Sequence, residues 1–125
     1  MNIIQGKVRK GKKRGKALGF PTANIPLHKN IPEGVYVSKT KINGDTYNSI
    51  TFIGRAKTFN ETKYQAETFI FSFERNIYNK WITINLLKKI RDNKKFKSSQ
   101  ELVMQIKRDE KEAKEYFEKN QIIEK

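Results

Sequence analysis

Asn43-Gly44 constrains this chain more than any other pair of residues. Both central positions of a type I′ turn need positive φ, and Asn-Gly meets that need at least cost. The dipeptide lies between two runs rich in β-branched and aromatic residues, Val35 to Ile42 and Asp45 to Ile53. It therefore predicts an antiparallel hairpin. Gly54 to Thr62 is polar and reads as a loop. Lys63 to Phe73 then alternates. Tyr64, Ala66, Thr68, Ile70 and Ser72 share one face, and Gln65, Glu67, Phe69, Phe71 and Phe73 the other. Glu67 is the anomaly, a carboxylate on the more aromatic face. Tyr78-Asn79-Lys80 reads as a turn, with Asn79 suited to the left-handed conformation. A further strand is expected from Trp81 to Ile90, with Trp81, Thr83, Asn85 and Leu87 opposite Ile82, Ile84, Leu86 and Lys88.

The period changes after residue 97. Ser98 followed by Glu101 fits a capping box. Leu102, Ile106, Ala113 and Phe117 then recur at helical spacing up to about Asn120, with charges on the remaining face. Short strands, a hairpin and one late helix predict a mainly β fold, a small closed β-barrel with a helix packed beside it. Closure removes the exposed edges that a small open sheet would present.

At 125 residues the chain is the length of one domain. It has no cysteine, which excludes a disulfide framework and a thiolate-ligated metal. The first six residues carry no apolar run of signal-peptide length, and no segment approaches the ~20 apolar residues of a membrane span. A cytoplasmic location without a membrane partner is expected. The net charge is +14, but lysines outnumber arginines 21 to 6 and lie along the whole chain. Weight therefore falls on one cluster, seven basic residues within the ten positions Lys7 to Lys16.

That cluster leads into Gly19-Phe20-Pro21-Thr22-Ala23-Asn24, a short polar motif carrying a hydroxyl and an amide. A flexible cationic loop before such a motif suits a polyphosphate. It is not a P-loop: Gly6-x4-Gly11-Lys12 is followed by Lys13 where a Mg²⁺-binding Ser or Thr is required. Thr22 and Asn24 offer hard oxygens to Mg²⁺, which takes further ligands from water and substrate phosphate. Glu67 is suited to accept a proton from an attacking hydroxyl. The plainer readings are turn residues for Thr22 and Asn24 and a solvated carboxylate for Glu67. His28, the only histidine, has no soft ligands near it in sequence and reads as a surface residue. A basic barrel also fits nucleic-acid binding, which ranks last because the aromatics sit at alternating strand positions suited to a core.

The order of motifs resembles the riboflavin kinase (flavokinase) family, in particular the C-terminal kinase domain of bacterial bifunctional riboflavin kinase/FMN adenylyltransferases. The likeness opens with Gly6-x-Val8-x-x-Gly11-x-x-x-Gly15-Lys16-x-Leu18-Gly19-Phe20-Pro21-Thr22-Ala23-Asn24. It continues through Pro32-x-Gly34-Val35-Tyr36, Ile53-Gly54, Thr58-Phe59, Ala66-Glu67-Thr68, Phe73 and Ile77-Tyr78. It closes with Ile90-Arg91-Asp92, Lys95-Phe96 and a helix carrying Ile106 and Asp109. The resemblance implies one domain over residues 1–125: a six-stranded antiparallel barrel over about 2–92, a flap over about 91–97 and a helix over about 98–119. It implies transfer of the ATP γ-phosphoryl group to the 5′-hydroxyl of riboflavin, giving FMN and ADP, with Mg²⁺ as cofactor and Zn²⁺ or Mn²⁺ as alternatives. By the same resemblance Gly11, Gly15 and Lys16 bind the nucleotide, Thr22 and Asn24 hold metal and phosphate, and Glu67 is catalytic. Arg91 and Phe96 lie near the flavin. A monomer is expected.

The chain departs from the family pattern at Phe52, Lys57, Phe69 and Asn79. Phe52 and Phe69 replace an asparagine and a histidine. These departures keep a non-catalytic flavin- or nucleotide-binding relative as an alternative, ahead of a nucleic-acid-binding barrel. The adenylyltransferase region has no counterpart among these residues, so no FAD synthesis is expected of this chain.

Overall fold

The computed structural model describes residues 2–9, 22–58, 61–71 and 77–120. Six strands come first: β1 (Asn2–Lys7), β2 (Thr22–Pro26), β3 (Gly34–Ile42), β4 (Asp45–Thr58), β5 (Glu61–Ile70) and β6 (Trp81–Arg91). One helix, α1 (Ser99–Asn120), follows. All strand pairs are antiparallel, in the order β1-β6-β3-β4-β5-β2. The two ends of that order meet where Arg9 bridges Asn24, its N–H donating to the Asn24 carbonyl at 2.8 Å. The sheet is thereby a nearly closed barrel. At the seam a side chain on Gly6 would overlap Ile25, its Cβ falling 2.4 Å from Ile25 Cγ2.

The Asn43-Gly44 turn forms as its chemistry requires, with φ of 51° and 89°. Asn79 is left-handed at φ 68°. Two expectations change. Gly54 to Thr62 is not a loop: β4 runs on to Thr58 and β5 begins at Glu61, paired from Gly54↔Gln65 to Thr58↔Glu61. The stretch is polar in sequence yet its backbone is paired strand to strand, so low hydrophobicity does not mark a turn. Thr22 and Asn24 are not turn residues either. They belong to β2, whose five residues pair with β5 from Thr22↔Phe69 to Pro26↔Gln65.

The alternation sorts as expected within β5, which ends at Ile70; Ser72 and Phe73 lie outside the described residues. Ala66 and Thr68 are fully buried inward, with Ile53, Ile25, Ile84 and Ile82 filling the barrel. Part of the interior is polar. A chain of five buried hydroxyls runs Thr40–Ser49–Ser38–Thr51–Thr68, each contact 2.7–2.9 Å. Strung in series, these groups satisfy one another without water. The outer face of β3, β4 and β5 is also buried, at Val35, Val37, Ile50 and Phe69.

The chain divides into two compact units, Met1–Asn93 and Lys94–Lys125. In the second, Ser98 Oγ accepts the Glu101 N–H at 3.2 Å, and Glu101 reaches back to the Lys97 N–H at 3.1 Å. This is a capping box displaced by one residue on its return arm. Ile106, Asp109 and Ala113 form the buried stripe of α1, while Leu102 and Phe117 are half-buried. Asp109 is the exception to a solvated charged face, and Gln105 Nε2 donates to its Oδ1 at 3.0 Å. Among the described residues no helix is long and apolar enough to cross a membrane.

Candidate active site

Pairing register assembles the site. Asn24 on β2 is the direct partner of Glu67 on β5, and Glu67 is the direct partner of Phe52 on β4. Phe52 pairs with Val35, and Val35 with Arg91 on β6. Arg9 pairs with Asn24 from the other side. Directly opposed residues of antiparallel strands project to the same face. One row therefore crosses the outside of the barrel: Arg9, Asn24, Glu67, Phe52, Val35 and Arg91. Thr22 lies two residues before Asn24, on the same face, opposite Phe69.

The polar groups in this row are held in different ways. Asn24 is buried, and Gln65 Nε2 approaches its Oδ1 at 3.5 Å, a long contact that leaves the oxygen with acceptor capacity. Thr22 and Glu67 are half-buried. Phe52 and Phe69 meet edge to face with centroids 5.2 Å apart and planes at 69°. Two of the four positions where the family pattern breaks are thus neighbours that pack on each other. They form an apolar wall beside the Glu67 carboxylate. The Arg91 guanidinium sits 6.0 Å from the centroid of Phe52 and donates to the Asp92 carbonyl at 3.0 Å. Lys89 hydrogen-bonds Asp92 at 2.7 Å, which holds the Asp92 carboxyl below its ordinary value and the Lys89 ammonium above its own.

Of the residues expected from sequence, Thr22, Asn24, Glu67 and Arg91 come together on this face. Phe96 belongs to the second unit and is half-buried there. Gly11, Gly15 and Lys16 lie outside the described residues. Sequence reasoning missed Arg9 as the neighbour of Asn24 and Phe52 as the neighbour of Glu67. Neither has a signal in spacing, since strand register brings them in. Among the described residues no three His, Cys, Asp or Glu side chains cluster as a metal site.

The model of the riboflavin kinase (flavokinase) family matches residues 2–117. The chain belongs to this family. It is 41% identical over 121 residues to the trifunctional protein RibF/MnmA of Mycoplasmoides gallisepticum, covering 94% of this chain and 18% of that protein. It is 40% identical over 121 residues to the bifunctional riboflavin kinase/FMN adenylyltransferase of Bacillus subtilis, covering 92% of this chain and 38% of that one. The chain thus spans well under half the length of these relatives. Among solved structures, riboflavin kinase from Trypanosoma brucei superposes with a TM-score of 0.66 at 27% identity, covering 98% of this chain and 83% of that one. The shared element is the six-stranded barrel with its C-terminal helix.

Proposed function

We propose that this chain is an ATP-dependent riboflavin kinase acting in the cytoplasm as a monomer and a single domain. The observation that carries this reading is the cross-strand pair Asn24–Glu67, flanked by Thr22 on one strand and the Phe52–Phe69 wall on the others. It sets an oxygen donor pair for a phosphate-bound cation beside a carboxylate that faces an apolar surface.

Phosphoryl transfer depends on alignment and on stabilising spread negative charge. Thr22 Oγ1 and Asn24 Oδ1, hard oxygens two residues apart on one strand face, would hold Mg²⁺. The ion would supply neutralisation of the phosphate charge there. Arg9 lies on the Asn24 side, where the triphosphate would rest, and Gly11, Gly15 and Lys16, which follow it in sequence, would bind the nucleotide. Glu67 orients the riboflavin 5′-hydroxyl and takes its proton as the new P–O bond forms and the bond to the ADP oxygen breaks. Phe52, Phe69 and Arg91 take the flavin side. Zn²⁺ or Mn²⁺ would suit the same oxygens less selectively.

Purified protein given riboflavin, ATP and Mg²⁺ is expected to release FMN and ADP in equal amounts, resolved by chromatography. Riboflavin-dependent thermal stabilisation without FMN would instead identify a non-catalytic flavin binder, the reading that Phe52 and Phe69 favour.

A further inference from the structure

The outer face of β1, β6 and the second half of β3 differs from the buried outer face of β3, β4 and β5. Trp81 stands there 69% exposed. Its inward neighbours Ile82 and Ile84 already fill the core, so the indole is not needed for packing. Register places Lys7 directly opposite Trp81. In the next row Gln5 faces Thr83, and Thr83 faces Lys41. One row further, Lys39 lies on the same face. Lys7, Gln5 and Lys41 are exposed, and Thr83 and Lys39 half-buried. Gln5 Nε2 reaches Thr83 Oγ1 at 3.5 Å. None of these positions carries a carboxylate, on a chain with 13 acidic residues.

One exposed aromatic needs no partner by itself; what sets Trp81 apart is the ring of cations around it. Lysines are depleted from the centres of protein–protein interfaces, and here they surround the indole. Ammonium groups flanking an aromatic platform are the chemistry of single-stranded nucleic acid: phosphates go to the cations and a base stacks on the ring. The amide and hydroxyl of Gln5 and Thr83 between the lysines suit ribose 2′-hydroxyls, the group that separates RNA from DNA. The net charge of +14 adds long-range attraction.

We propose that this face binds single-stranded RNA, with one base stacked on Trp81 and the flanking phosphates held by Lys7 and Lys41. None of these residues belongs to the row of Asn24 and Glu67, so the inference stands apart from the kinase reading.

Trp81 is the only tryptophan of the chain, so its emission reports on this face alone. Titration with a ten-nucleotide oligouridylate at low salt is expected to quench it saturably. Two phosphate contacts predict a log–log salt slope of about −1.4. By anisotropy of a labelled oligomer, Trp81→Ala should bind roughly ten-fold more weakly while FMN formation stays unchanged. Lys7→Gln with Lys41→Gln should retain the fold and flatten the salt slope towards zero. Absence of quenching, or oligomer binding indifferent to Trp81→Ala and to the lysine pair, would overturn the proposal. So would equal binding of the matching oligodeoxynucleotide, quenching by phosphatidylglycerol vesicles but not by RNA, or a dimer in sedimentation that buries Trp81.

Discussion

Gly34→Ala tests whether the row across the barrel is as tightly built as described. Gly34 opens β3 at φ 149°, a conformation that side chains rarely adopt. A Cβ there would lie 2.8 Å from the Arg91 carbonyl oxygen and 2.5 Å from Lys89 Cε. The lysine tail can swing aside. The carbonyl cannot, because it belongs to the backbone of β6, and β6 must shift to make room. Holding alanine in that region costs about 1–3 kcal/mol, and forcing the strands apart costs about 1–3 kcal/mol more. The sum, about 2–6 kcal/mol, is a large part of the ~5–15 kcal/mol of a typical domain. With an unfolding entropy of about 0.25 kcal/mol/K for a chain of this size, the melting temperature should fall by about 8–24 °C. Far-UV circular dichroism on heating measures it. Because Arg91 sits over Phe52, KM for riboflavin should rise while KM for ATP holds. A fall in melting temperature below about 3 °C, with KM for riboflavin unchanged, would refute the reasoning.

Three further outcomes are expected. Thr51→Val breaks the buried hydroxyl chain between Ser38 and Thr68 and should cost about 1–3 kcal/mol in urea unfolding; no loss would show that the chain stabilises nothing. Burial first of all raises the pKa of Tyr36 and of Tyr64 above 10.0. Their contribution is therefore complete below pH 10.0 and lost as pH rises through the higher folded values, so stability should drop in alkali. Tyr36→Phe, which also removes the 2.6 Å bond to the Pro32 carbonyl, should lower stability by about 1 kcal/mol at pH 7 and flatten that alkaline loss in pH-dependent melts. Asn24→Ala should raise the Mg²⁺ concentration for half-maximal rate at least ~10-fold, the lower bound for losing even an outer-shell partner; an unchanged Mg²⁺ requirement would remove Asn24 from that role.

The parts legible in the sequence were those that depend on near neighbours. Asn43-Gly44 and Asn79 needed only their own backbone preferences. The β5 alternation and the Ser98 cap needed only a few residues around them. Thr22 and Asn24 were singled out by their chemistry, yet their strand was not, because a five-residue β2 between Pro21 and Pro26 carries almost no periodic signal. Gly54 to Thr62 misled for the opposite reason: a pair of strands built of polar residues has the composition of a loop. The contact of Phe52 with Phe69, and the places of Arg9 and Arg91 in the Asn24–Glu67 row, depend on register between distant strands. Local pattern does not encode register. Trp81 was assigned the correct alternation, but its exposure became visible only when Ile82 and Ile84 were seen to fill the barrel.

The most direct test of the central claim is the initial rate of FMN formation by Glu67→Gln beside the unsubstituted chain, at saturating ATP, riboflavin and Mg²⁺. The substitution keeps the side chain's size and removes its ability to take a proton. With the melting temperature preserved, turnover should fall by about 10²–10⁴-fold. Near-normal turnover in a folded Glu67→Gln protein would contradict the assignment of the Asn24–Glu67 pair as the reacting centre.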